Sequence, residues 1–171
     1  MCIIVPGYNN NANFRIEHNL NSIFMQNYTN YRAVIIDDFS TDGSIEVYKK
    51  YFAFYRIDKR FYTLVSNTKK ATAMTNHYFG TLLQCRKDSI VLNLDGDDEL
   101  IGRNVLNLFN WGYRTKKSGV IYSNFYWYQQ PSTLMYGFTS EYSDNEKKNN
   151  LYRTTGMKYS HLRTFRAELI H

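Results

Sequence analysis

The sequence predicts an α/β fold: a mostly parallel sheet flanked by helices, in a single domain over residues 1–171. Three observations carry that prediction. Short apolar runs alternate with amphipathic stretches, as strands alternate with crossover helices in a parallel sheet. The strand-like runs are apolar almost throughout, the pattern of strands buried on both faces. Two of them end in clustered acids, Asp37-Asp38 and Asp95-Gly96-Asp97-Asp98-Glu99. Open α/β sheets keep their ligands at the carboxyl ends of their strands.

Each element can be justified in turn. Met1 to Val5 is a short buried strand, stopped by Pro6-Gly7. Ile16, Leu20, Ile23 and Phe24 recur at helical spacing, which predicts a helix over Phe14–Gln26. Tyr31–Asp37 is the second strand. Thr41-Asp42-Gly43-Ser44 then opens a helix with Ile45, Tyr48 and Phe52 on one face. Phe61–Ser66 is the third strand, and Ala71–Gln84 a helix with Met74, Tyr78 and Leu82 aligned. Ile90–Leu94 is the fourth strand. Val105, Leu108 and Phe109 mark another helix, and Gly119–Trp127 another strand. Beyond Gln130 the pattern loosens: Ser143–Asn150 reads as a polar surface loop and Ser160–Ile170 as a last helix.

Composition narrows the function classes. Hydrophobic residues make up 43% of the 171 and charged residues 21%, an ordinary globular balance. The net charge of +6 is spread over pairs such as Lys49-Lys50 and Lys116-Lys117. No long basic run or nucleic-acid motif accompanies it, so a solvated surface is expected rather than a nucleic-acid partner. The 16 tyrosines suit a sugar- or nucleotide-facing surface, and they suit plain core packing better. Cys2 and Cys85 have neither metal-ligand spacing nor a second pair. Reduced thiols are therefore expected, with a cytoplasmic or cytosol-facing location as the default. The sequence offers no signal peptide and no run of about 18 apolar residues to span a membrane.

The second acid cluster is the most chemical part of the chain. Carboxylates this close repel one another unless a cation or a donor-rich ligand sits among them. Mn²⁺ or Mg²⁺ takes oxygen ligands, and a diphosphate needs its charge neutralised. An isolated Asp-x-Asp is more often an acidic helix cap. Here it ends a buried strand and has an upstream counterpart, which favours a shared polar site. A calcium loop of the EF-hand type starting at Asp95 fails, because the twelfth position is Leu106. Glycine-rich dinucleotide and Walker-type phosphate motifs are absent. The four histidines, His18, His77, His161 and His171, show no zinc spacing, and a single histidine is more often a surface or packed residue.

Four ordered motifs resemble family-2 glycosyltransferases of the GT-A fold. They are Ile3-Ile4-Val5-Pro6-Gly7-Tyr8-Asn9, Asn19-x-x-Ser22-Ile23-x-x-Gln26, Val34-Ile35-Ile36-Asp37-Asp38-x-Ser40-Thr41-Asp42-Gly43-Ser44, and Leu94-Asp95-Gly96-Asp97-Asp98. The likeness is firm over residues 1 to 110, the nucleotide-binding part. It is fainter over 111 to 171, the acceptor side, where His161-Leu162-Arg163-Thr164-Phe165-Arg166 is similar to a segment of one branch of the family.

The resemblance implies roles. Pro6, Tyr8 and Asn9 would line the base and ribose pocket of a nucleotide-sugar, and Asp38 would accept a hydrogen bond from the base, typically uracil. Asp95 would face ribose or metal, Asp97 would be the metal ligand, and Asp98 would support either neighbour. Lys70 could reach the phosphates, a solvated lysine being the competing reading. The implied reaction is metal-assisted transfer of a sugar, from a UDP-sugar, to an acceptor hydroxyl of a glycan, protein or lipid, with inversion. It needs a general base, and none of the late acids Glu141, Asp144, Glu146 and Glu168 sits in a matching motif. Relatives commonly run longer, so the base is expected outside these residues.

Three rivals stand beside this reading. A non-catalytic nucleotide-sugar or glycan-binding module would bind UDP without turnover. A sugar-phosphate nucleotidyltransferase would need a basic, glycine-rich segment after the first strand. A phosphatase would carry its Asp-x-Asp on the first strand, with Thr or Val where this chain has Glu99.

Overall fold

The computed structural model of the protein describes residues 1–129, 133–152, 154–156, 158–159 and 162–171. In chain order the elements begin β1 (Cys2–Gly7), α1 (Arg15–Phe24), β2 (Arg32–Asp37), α2 (Ser44–Phe54), β3 (Tyr62–Ser66), α3 (Ala73–Gln84) and β4 (Ile90–Asn93). They continue with α4 (Val105–Thr115), β5 (Val120–Tyr122), β6 (Phe125–Gln129), β7 (Thr133–Gly137), α5 (Asp144–Lys148) and β8 (Arg163–Arg166). A short 3-10 turn, Ala167–Leu169, closes the chain. Six strands form one sheet in the order β3-β2-β1-β4-β8-β5, with β1 parallel to both β2 and β4, and β2 parallel to β3. This is the α/β architecture expected from the alternation of apolar runs.

Two compact units emerge, residues 1–121 with 164–171, and residues 122–163. In the first, β1 is the central strand and all six of its residues are buried. Its Ile3, Ile4 and Val5 are branched at Cβ, which suits a strand packed on both faces. Burying each contributes about 2 kcal/mol. α1 buries Ile16, Leu20 and Ile23, the stripe read from the sequence. α2 buries Tyr48, Tyr51 and Phe52.

Elsewhere the structure corrects the expected faces. α3 buries Asn76, Gly80 and Thr81, while Met74 and Tyr78 of the aligned stripe are exposed. The reason is Gly80: a Cβ there would meet Ile36 Cδ1 at 2.9 Å and Ile4 Cγ2 at 3.1 Å. The absent side chain lets α3 lie close on β1 and β2, and its glycine face turns inward. α4 likewise buries Leu106, Phe109 and Tyr113 and leaves Leu108 exposed.

The second corrected expectation concerns the cysteines. Cys2 and Cys85 form a disulfide, with Cα atoms 5.7 Å apart at a sequence separation of 83. No spacing motif advertises such a bond. The fold makes it by bringing the start of β1 beside the end of α3, within a cluster of Ile4, Val34, Ile36, Val91 and Ala167. The sulfurs are therefore not reduced thiols in this structure. Among the described residues no helix is long and apolar enough to cross a membrane.

The late segments differ most from expectation. Gly119–Trp127 is not one strand but two, β5 and β6, which belong to different sheets. Asn124 breaks the run by accepting hydrogen bonds from Thr139 N–H and Oγ1 at 2.9 and 2.8 Å. β6 pairs antiparallel with β7. Ser143–Asn150 is not a loop but carries α5, whose Ser143 and Glu146 make a capping box. Ser160–Ile170 is not a helix. β-branched Thr164 lies in β8, where its hydroxyl hydrogen-bonds Ile121 O and Tyr113 Oη. His161 falls outside the described residues.

Within residues 122–163, Glu146 accepts from Lys158 Nζ at 2.7 Å and Ser143 N–H at 2.6 Å. The Lys158 bond, then the Ser143 bonds, hold its carboxyl down at about 2. A depressed folded-state pKa gives stability that is present above the ordinary value of 4.5 and lost as pH falls toward 2. Lys158 Nζ also lies 5.3 Å from the centre of the Tyr142 ring, so the NMR ring resonances of Tyr142 followed across pH report this pair. The wild type is expected to show an acid transition in that window, and Glu146→Gln to lose it. An unchanged transition in Glu146→Gln would count against the assignment.

Candidate functional site

The carboxyl ends of β1, β2 and β4 lie side by side, and the loops leaving them are tied together. Asn9 N–H donates to Ser40 Oγ at 3.0 Å, and Thr41 N–H returns a bond to Asn9 Oδ1 at 2.9 Å. Asn10 N–H donates to Ser44 Oγ at 3.0 Å, and Asn11 N–H to Asp42 Oδ2 at 2.9 Å. The short polar side chains of the Tyr8–Asn11 and Phe39–Ser44 segments thus satisfy each other's backbones. Asn9 and Phe39 both sit in the left-handed region, at φ 54° and 64°. For Phe39 this costs about 1–2 kcal/mol. The flanking bonds of Asp38 N–H to Gly7 O at 2.8 Å and Ser40 N–H to Asp37 Oδ2 at 3.2 Å hold it there.

The turn after β4 is fixed to the same corner. Gly96 N–H donates to Pro6 O at 2.9 Å. A Cβ on Gly96 would lie 2.7 Å from Asn10 Nδ2 and 2.9 Å from Pro6 O. Only glycine lets the acidic turn approach β1 so closely. Asn19 of α1 braces it from behind, donating to the carbonyls of Asp95 and Asp98 at 3.1 and 2.7 Å.

Asp38 is 4% exposed. Its Oδ1 accepts from Asn67 Nδ2 and from Ala71 N–H, both at 2.8 Å. Burial alone would raise its pKa, but these hydrogen bonds and the nearby Lys70 charge outweigh burial and hold it below the ordinary carboxylate value. The result is a buried, ionised acceptor at the end of β2. Lys70 and Tyr8 are both exposed, and Lys70 Nζ lies 3.4 Å from the centre of the Tyr8 ring. That is a cation–π contact at the mouth of the site.

Asp95 is partly buried and meets His77 Nε2 of α3 at 3.1 Å. Asp97 is exposed. Pro6 is buried, and its carbonyl serves the Gly96 bond. The structure thus brings Pro6, Tyr8, Asn9, Asp38, Lys70, Asp95 and Asp97 to one end of the sheet. Among the described residues, several buried polar atoms have no hydrogen-bond partner, including Asn76 Nδ2, Asn93 Oδ1 and Asp37 Oδ1.

Among the described residues no group of three His, Cys, Asp or Glu could hold a metal unaided. Asp95 and Asp97 present an all-oxygen pair, which fits a hard divalent cation completed by ligand phosphates. Sequence reasoning missed Asn67, which braces Asp38, Asn76, whose Oδ1 accepts from Asn67 Nδ2 at 2.9 Å, and His77. The signal for His77 was its position three residues before Gly80, on the face that close packing turns inward.

Residues 2–171 match the model of glycosyl transferase family 2. The chain belongs to glycosyl transferase family 2. A poly(ribitol-phosphate) β-N-acetylglucosaminyltransferase, TarP of Staphylococcus aureus strain N315, is 31% identical over 123 residues. Those residues are 70% of this chain and 35% of TarP, so the chain spans about a third of that relative. Solved structures share the fold. TarS of S. aureus in complex with UDP-GlcNAc superposes with a TM-score of 0.69 at 20% identity, over 99% of this chain and 46% of that one. A mannosyltransferase from Pyrobaculum calidifontis in complex with GDP-Man and Mn²⁺ gives 0.63 at 22% identity, over 99% and 45%. These likenesses support the GT-A form of the α/β fold expected for the family.

Proposed function

We propose that this chain is the donor-binding part of a glycosyltransferase that moves a sugar from a UDP-sugar to an acceptor hydroxyl, with Mn²⁺ or Mg²⁺ and with inversion. One observation carries the reading. Main-chain bonds donated by Asp38 N–H to Gly7 O and by Gly96 N–H to Pro6 O fix the acids that follow β2 and β4 around the end of β1. An ionised Asp38 suits an imide N–H of uracil. Tyr8 and Asn9 flank the base and ribose, and Asp95 faces ribose or metal. Asp95 and Asp97 would hold the cation, which when bound supplies charge to the departing diphosphate. Lys70, loosely placed over Tyr8, is within the same mouth and adds positive charge for phosphates. UDP-GlcNAc, the ligand of the TarS complex, is the first donor to try, and the acceptor is a glycan, protein or lipid.

The test is calorimetric titration of UDP into the chain, with Mn²⁺ and with chelator, for wild type and Asp97→Ala. Wild type is expected to bind at least about tenfold more tightly with metal, and Asp97→Ala to lose that gain. Absence of UDP binding under every condition would overturn the donor-site reading. UDP binding without hydrolysis or transfer from UDP-GlcNAc or other UDP-sugars would favour a binding module instead.

A further inference from the structure

We propose that the outer face of α4, with the loop that leads into it, is a docking surface for an anionic lipid membrane, on which the chain lies without crossing. The charge pattern marks the place. From Leu100 through Ser140 there is no Asp or Glu, whereas Arg103, Arg114, Lys116 and Lys117 all fall in that stretch. Among the described residues none of these four makes an ion pair, although Arg60, Arg86, Lys147 and Lys158 elsewhere do. The nearest acid before the stretch, Glu99, faces His18 of α1 at 3.8 Å.

Apolar side chains complete the surface. α4 turns Leu106, Phe109 and Tyr113 inward. Leu108 and Trp111, 66% and 63% exposed, stand outward as neighbours on successive turns, and exposed Arg114 follows three residues later. The loop ahead of the helix adds exposed Ile101 and Arg103, and Arg103 Nε donates to the carbonyl of exposed Met25 at 3.1 Å. Single exposed apolar side chains are ordinary. A tryptophan beside a leucine, bordered by cations and free of acids, has the chemistry of a membrane interface: the indole sits at headgroup level and the cations meet lipid phosphates. Each Lys or Arg near an anionic leaflet strengthens association by about fivefold. The surface is also preformed. Asn27 N–H donates to Arg103 O at 2.7 Å, and Leu106 N–H to Gln26 Oε1 at 3.2 Å, so the start of α4 is already seated when lipid arrives.

Vesicle binding tests this. Trp111 and Trp127 are the two tryptophans, so Trp127→Phe makes fluorescence report on Trp111 alone. Vesicles of phosphatidylglycerol and phosphatidylcholine in equal parts are expected to bind this protein at least about tenfold more tightly than pure phosphatidylcholine, to shift Trp111 emission to the blue, and to release the protein as salt rises. Arg114→Gln, Lys116→Gln and Lys117→Gln together are expected to weaken binding by at least about tenfold. Leu108→Gln is expected to cost about tenfold through lost apolar contact. All four side chains are exposed, and thermal melts matching the parent show that the variants fold. No vesicle binding by the parent, or equal binding by the variants, would overturn the proposal. So would equally tight binding of soluble polyphosphate with no blue shift, which assigns the cations to a soluble polyanion. Self-association that buries Trp111 without lipid would overturn it too, by assigning the face to a second copy.

Discussion

Asp38→Ala is expected to weaken UDP binding by about a hundredfold and to lower folding stability by about 3 kcal/mol. The two effects have separate origins. A hydrogen bond to a charged acceptor is worth about 1.5–3 kcal/mol, which is the binding loss. The stability loss comes from the protein's own donors. Asn67 Nδ2 and Ala71 N–H both rest on Asp38 Oδ1, and alanine takes this acceptor from both, leaving Asn67 Nδ2 only its bond to Asn76 Oδ1. Asp38→Asn keeps one acceptor oxygen for Asn67 and Ala71, removes the charge and turns the second oxygen into a donor that would face the imide N–H. It should therefore retain most of the stability while losing most of the binding. The pH dependence follows from the sign of the shift. Asp38 is held below its ordinary value, so its contribution is complete above the unfolded-state pKa of about 4 and fades as pH falls below it. Denaturant titration at pH 7 and pH 3, with calorimetry at pH 7, checks all of this. UDP affinity unchanged in Asp38→Ala would remove Asp38 from the site.

The second large effect is expected from the Cys2–Cys85 bond. Its loop encloses β1 through α3, and so holds most of the candidate site. Closing a loop of that length restricts the unfolded chain by about 4.5 kcal/mol in the chain-entropy model. Reduction, or Cys85→Ala, is expected to destabilise the protein by about 2–4 kcal/mol, comparable to a large share of a domain's stability. Unfolding curves with and without reductant, alongside counting of free thiols by alkylation under denaturing conditions, measure it. Two alkylatable thiols in unreduced protein would show that the bond does not form.

Legibility varied along the chain for identifiable reasons. The central strands β1 and β2 could be read because strands buried on both faces are written as uninterrupted runs such as Ala33-Val34-Ile35-Ile36. The acids after two of those runs could be read because carboxylates rarely end buried strands without a purpose. The buried face of α3 was not legible, because a glycine that seats a helix leaves no hydrophobic signature. Nor was the disulfide, whose two cysteines are brought together only by the tertiary fold. Beyond Tyr122 the elements are short and their signals compete. Asn124 splits an apolar run, a capping box nucleates a helix in a polar stretch, and β-branched Thr164 favours a strand where periodicity hinted at a helix. The residues that brace the site, Asn19, Asn67, Asn76 and His77, act across long sequence gaps, so spacing alone could not reveal their partners.

The contact at Gly96 separates two properties that usually travel together. The gap between the acidic turn and the end of β1 is set by main chain against main chain, with Gly96 lying on Pro6 O and the Gly7 Cα. The apolar side chains that hold the protein together do not enter that measurement. Dimension and durability are therefore independent here: the domain can be made sturdier through its interior while the aperture between its acids keeps its width.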